Sequence, residues 1–178
     1  MTVHGDVFAK GRFTADAWHF AGDDAALPAG PVFVAKARWL AERDALVGRD
    51  GPIGLVLEPA DRLDDLADDL PRFAAIAVGF PKFADGRGLS LARRLRDHHG
   101  YRGELRAIGD ILLDQVADYF RVGFDTLAIT DEPTRARLLS GAHLCRPVFY
   151  QPAVEPATQP IPGRSWLRVP YQDAWCGV

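Results

Sequence analysis

Between Phe80 and Ser90 the chain reads Phe-Pro-Lys-Phe-Ala-Asp-Gly-Arg-Gly-Leu-Ser, the segment richest in groups that do chemistry. Gly86 and Gly88 free the backbone, Lys82 and Arg87 can pair an anion, and Ser90 can cap a following helix. Such a composition suits a compact oxyanion: phosphate, sulfate or sulfite. A structural explanation competes, because Asp85-Gly86 is a turn dipeptide and Arg87 has Asp110 or Glu58 to pair with. Arg106 is a further cation. Alternation in Glu104-Leu105-Arg106-Ala107 sends Leu105 and Ala107 to one face and Glu104 and Arg106 to the other, so a charge lies on an otherwise apolar sheet and needs a partner. Asp110, Asp85 and Glu58 are the candidates, and the group forms either a buried ion-pair network or a polar pocket.

The elements that must position these residues follow from periodicity. Apolar runs predict strands at Val32 to Ala35, Ile53 to Leu57, Ala74 to Val78, Leu105 to Ile108 and Thr126 to Ile129, too continuously apolar to leave one face wet. Helices are expected at Lys36 to Val47, Arg62 to Leu70, Leu89 to His99, Ile111 to Val122 and Pro133 to Ser140, with Asp61 and Asp110 as N-caps. This alternation is the pattern of βα units and a mainly parallel sheet, either a partial TIM-like barrel or an open flavodoxin-like sheet. In both, ligands sit at the carboxyl ends of the strands. That rule selects Glu58, the Phe80 to Gly88 loop, Gly109-Asp110 and Thr130-Asp131-Glu132. Before the βα units, Asp6 to Ala9 and Ala17 to Phe20 are expected to form a hairpin through Lys10 to Phe13. After them comes a short strand at Val148 to Tyr150 and then an extended proline-rich tail. The organisation is one α/β domain over residues 1–150 (hairpin and linker 1–30, βα units 31–150), followed by the tail at 151–178.

Composition narrows the function. The chain has 178 residues, 48% hydrophobic and 25% charged, enough for a full core without disulfides or a structural metal. Cys145 and Cys176 match neither a C-x-x-C pair nor a zinc or iron–sulfur spacing. No nucleotide-binding fingerprint, P-loop, nucleophile elbow or His-rich metal motif occurs, so no cofactor and no metal are expected. The formal net charge of −3 argues against nucleic acid as a partner. No apolar run suggests a membrane span and no leader pattern is visible, which leads to the expectation of a soluble, cytoplasmic protein. The sum conceals polarity: Lys82 to Arg106 holds seven cations against three anions, while Glu58 to Asp69 holds six acids and one Arg.

The block Phe80-Pro81-Lys82-Phe83-Ala84-Asp85-Gly86-Arg87-Gly88, with Ser90 and Ala92-Arg93, then Gly100-Tyr101-Arg102-Gly103-Glu104-Leu105-Arg106-Ala107, Gly109-Asp110, Asp114-Gln115 and Gly123-Phe124-Asp125, resembles the bacterial family called domain of unknown function 934. The resemblance is specific from Phe80 to Asp125, looser from Trp18 onward, and leaves out the tail. Members are often labelled oxidoreductases of sulfite reduction. The resemblance thus implies an accessory role in assimilatory sulfite reduction, beside sulfite reductase or another sulfur-assimilation enzyme. Phe80 and Leu113 depart from the family pattern, which commonly has a Tyr before Pro-Lys and a polar or basic residue before Asp-Gln.

The expected site therefore comprises Lys82, Asp85, Gly86, Arg87, Gly88, Ser90, Arg106, Asp110, Asp114 and Gln115, binding a sulfur oxyanion or a partner. Two other readings stand beside it. One is an enzyme on a reduced (βα) barrel, with Lys82 or Asp110 as acid or base on a small anionic substrate. The other is a purely structural interaction subunit docking through the hairpin and tail. An exposed sheet edge in a partial barrel also suggests a homodimer.

Overall fold

The computed structural model describes residues 5–23, 25–141, 158–161 and 164–170. Its main body is one eight-stranded sheet curled into half a barrel, with helices packed on one face. The strands are β1 (Asp6–Ala9), β2 (Arg12–Ala15), β3 (His19–Phe20), β4 (Val32–Ala35), β5 (Ile53–Leu57), β6 (Ala75–Phe80), β7 (Glu104–Gly109) and β8 (Thr126–Ile129). The helices are α1 (Lys36–Val47), α2 (Arg87–Asp97), α3 (Val116–Arg121) and α4 (Glu132–Leu139). Sheet order is β2-β1-β8-β7-β6-β5-β4-β3, parallel from β3 to β8 and antiparallel across β1. Because β4 to β8 stand in chain order, there is no reversal of the kind a flavodoxin-like sheet needs, and that expectation is corrected. Consecutive crossovers of one hand place every helix on the same face.

Alternation in the central strand separates two cores. Ile76, Val78 and Phe80 of β6 face the helices and join Trp39, Leu46, Leu91, Leu95, Val116, Tyr119 and Leu138 in the larger cluster. Ala75 and Ala77 face the inside of the curl with Phe33, Ile108 and Ala128, against Trp18 and Phe20. Small residues on this inner face leave room for rings: a Cβ at Gly54 would clash with the Phe33 ring, which Trp18 meets tilted at 4.5 Å between centroids. The strand is therefore buried on both sides, as its unbroken apolar run requires.

Four expected elements differ. The segment Arg62 to Leu70 is not a helix but a series of turns ending in a 3₁₀ turn at Leu70–Arg72. Leu63, Leu66 and Leu70 still bury themselves, held by i→i+3 bonds such as Leu66 N to Leu63 O at 3.0 Å. Four Asp residues of low helix propensity in this stretch favour that outcome. Asp61 is not a helix cap either; its carboxylate accepts from the Glu58 N–H at 2.7 Å. Ile111 to Val122 is split into a 3₁₀ turn at Leu113–Gln115 followed by α3. The N-terminal hairpin pairs β1 with Arg12–Ala15 and not with Ala17 to Phe20. Its two-residue turn has Lys10 at φ 48° and Gly11 at φ 78°, the type I′ geometry that matches strand twist. Residues His19–Phe20 instead form the parallel edge beside β4. The described part of the proline-rich tail is an antiparallel pair, β9 (Thr158–Ile161) and β10 (Arg164–Pro170). Cys145, Cys176 and Val148 to Tyr150 lie outside the described residues.

Candidate functional site

The Pro81 to Gly86 loop leaves the carboxyl end of β6 and enters α2 at Arg87. Its roots are packed. The Phe80 ring is 1% exposed, edge-on to Tyr119 at 4.7 Å, and an added Cβ at Gly88 would stand 2.6 Å from it. Position 80 therefore belongs to the helix-side core, and a phenol there would not reach the loop's outer surface. Burial, reinforced by the nearby carboxylates of Asp110 and Asp114, pushes the Tyr119 phenol above its usual range.

The next βα unit grips the loop. Gly109 adopts φ +113° against the Phe80 carbonyl, where a Cβ would collide, and so turns the chain back over β6. The Asp110 N–H then donates to Phe80 O at 2.8 Å, while its Oδ2 accepts from the Phe83 N–H at 3.1 Å. From the 3₁₀ turn, Gln115 Nε2 donates to Phe83 O at 2.9 Å. Gln115 Oε1 is buried and has no hydrogen-bond partner among the described residues. Both polar groups of one peptide residue are thus held by two of the expected site residues. Asp110 caps no helix, which corrects that expectation, and Gln115 stands at the N-cap position of α3 without a side-chain capping bond. The Phe83 side chain is left 51% exposed.

Arg87 does not pair with Asp110 or Glu58 but with Asp85, through Nε at 2.8 Å and Nη2 at 2.6 Å. The Arg87 backbone N–H also donates to Asp85 Oδ1 at 3.2 Å. The Asp85 carboxylate therefore occupies the place at the α2 N-terminus that an oxyanion would take. The Arg87 hydrogen bonds hold its pKa down at about 2, against an ordinary 3.8, and Asp85 in turn raises that of Arg87. Gly86, not Ser90, is the N-cap of α2; Ser90 lies exposed in the first turn. Lys82 is exposed, and its side chain has no hydrogen bond or ion pair among the described residues, with Asp110 or any other group. Asp114 is exposed on the 3₁₀ turn beside Gln115.

Arg106 lies apart from this loop. It is 2% exposed on the inner sheet face, bonded to Asp16 Oδ2 at 2.7 Å and Glu104 Oε1 at 2.8 Å. Thr126 Oγ1 donates to the same Glu104 oxygen at 2.7 Å, and the guanidinium sits 5.2 Å from the Phe33 ring centroid. The expected partners Asp110, Asp85 and Glu58 are corrected to Asp16 and Glu104: the side chain points into the curl, and Glu104 two residues away shares that face. Sequence reasoning missed Asp16, 90 residues distant, and also missed Phe83 as an exposed group. A lone aromatic in a polar, glycine-bearing loop was the available signal for the latter.

Other motif residues form a structural hub. Arg96 donates to the carbonyls of Gly123, Tyr101 and Gly103 and to Asp125 Oδ2 at 2.6 Å. Asp125 also accepts from the Leu105 N–H at 2.7 Å, and Tyr101 OH donates to Phe73 O at 3.1 Å. Gly103 has no room for a Cβ beneath the Tyr101 hydroxyl. The loop, its clamp and this hub all fall inside residues 54–161, which match the family described as bacterial protein of unknown function (DUF934). The chain belongs to the DUF934 family. The DUF934 match extends beyond the Phe80 to Asp125 block on both sides and into the start of the tail, which the resemblance had left out. It begins after Asp16 and Trp18, so the inner-face cover lies outside it. No curated protein matches the chain.

Proposed function

We propose that this DUF934 protein is a cytoplasmic accessory of assimilatory sulfite reduction that docks on sulfite reductase, or on another sulfur-assimilation enzyme, through the Pro81 to Gly88 loop. The observation that carries docking is the state of the loop's groups. Asp85 already fills the α2 N-terminus and saturates one edge of Arg87, while Lys82 and Phe83 face outward. A free sulfur oxyanion would have to displace a carboxylate held by three hydrogen bonds; an acidic partner surface meets Lys82 and the outer edge of Arg87 without doing so. The sulfite-reduction context rests on the label that members of the family carry. Parallel strands in chain order in a half-barrel sheet support the reading of a reduced TIM-like barrel, a fold whose binding loops stand at this end of the sheet. Acid–base catalysis by Lys82 and Asp110 has less support, since Asp110 is spent on the Phe83 N–H and no bond joins the two.

The test is light scattering on a column with purified sulfite reductase at micromolar concentration. Docking predicts a joint peak heavier than the reductase alone by at least one 19.5 kDa chain. Separate elution at every ratio contradicts it. Run alone, the chain also reports self-association along the β2 or β3 edge as a doubled mass.

A further inference from the structure

We infer that Phe83 is the pre-ordered anchor of this docking surface, that Asp110 and Gln115 are its positioning residues, and that the socket on the partner is an apolar pocket rimmed by carboxylates. The inference rests on the docking reading and specifies the chemistry of its contact. An exposed loop ordinarily leaves its peptide groups to water, yet here the N–H and C=O of a single residue are both taken by side chains from the following βα unit, at 3.1 and 2.9 Å. That unit is itself fixed to β6 by the Asp110 N–H to Phe80 O bond at 2.8 Å. A second turn bond, Asp85 N to Lys82 O at 3.0 Å, closes the loop around the gripped peptide.

The consequence of this expense is to hold an aromatic side chain out of the core. Phe83 is half exposed in a chain whose other described Phe residues are all buried or partly buried. Rigid aromatics presented without further ordering cost are the residues that concentrate binding energy at interfaces. Lys82 precedes the ring and Arg87 follows it, both exposed, so a pocket that accepts the ring meets positive charge at its rim and complements it with carboxylates.

Two measurements on the full chain separate the clamp from the partner. Amide exchange at Phe83 is compared among wild type, Asp110→Ala and Asp110→Asn, with Ala77 and Ala107 in the sheet as internal references. The clamp predicts that Asp110→Ala speeds exchange at Phe83 by about tenfold or more while the references hold, and that Asp110→Asn, whose side-chain oxygen still accepts, restores most of the protection. Equal exchange at Phe83 in wild type and Asp110→Ala overturns the clamp whatever the partner. Binding to purified sulfite reductase is then measured for wild type, Phe83→Ala and Asp110→Ala. The anchor predicts affinity losses of about tenfold or more for Phe83→Ala and a smaller loss for Asp110→Ala. Unchanged affinity in Phe83→Ala overturns the anchor even if the clamp stands, and no binding by wild type overturns the docking reading and the anchor together.

Discussion

Asp85 shows how a single carboxylate changes the meaning of a loop. By composition alone Lys82, Arg87 and two glycines describe an anion cradle; with Asp85 bonded to both the backbone and the guanidinium of Arg87, the cradle carries its own anion. The pair has a defined pH window. Because the folded pKa lies near 2, below the ordinary 3.8, the contribution of the ion pair is present above the ordinary value and is lost as pH falls through about 2. We predict that the Asp85 carboxyl resonance titrates near pH 2 in the wild type and moves back toward 3.8 in Arg87→Ala. A midpoint near 3.8 in the wild type would mean that the pair does not form in solution. None of this was legible from residue types, which offered Arg87 the carboxylates of Asp110 or Glu58; only geometry selects Asp85, two positions away.

At the scale of elements, what the sequence revealed and what it concealed have a common cause. The strands β4, β5 and β8 match their apolar runs end to end, since a strand buried on both faces admits no polar interruption. The Arg62 to Leu70 stretch misled because Leu63, Leu66 and Leu70 have spacing that an amphipathic helix and a series of turns with mixed i→i+3 and i→i+4 bonds satisfy equally. Pairing of elements far apart in sequence was invisible, and the Arg106 network is the clearest instance. It ties the segment after β2 to β7 and closes the inner sheet face, with Asp16 side chain only 3% exposed. Arg106→Ala would leave that carboxylate buried without its cation, and we predict a loss of about 3–5 kcal/mol in urea unfolding. A loss under about 1 kcal/mol, the range of an exposed pair, would show that the segment does not cover the sheet as described.

The whole molecule revises its charge map. Of the seven cations between Lys82 and Arg106, Arg87, Arg93, Arg96 and Arg106 have carboxylate partners, at 2.6 to 2.8 Å. The acidic stretch is likewise met by its own cations: Arg62 holds Asp64, Lys36 holds Asp65 and Arg43 holds Asp69. Exposed Lys82, at the carboxyl end of the sheet and next to Phe83, is left as the cation best placed to meet another molecule. The strand-end position was legible in the sequence; that its cations were mostly spent inside the fold was not. The direct test of the account is the dissociation constant of the full chain for purified sulfite reductase, wild type against Lys82→Glu, at low and at physiological salt. Docking through this loop predicts that charge reversal weakens binding by about tenfold at low salt and that salt narrows the difference. Equal affinities for the two proteins at low salt, or no binding by either, would contradict it.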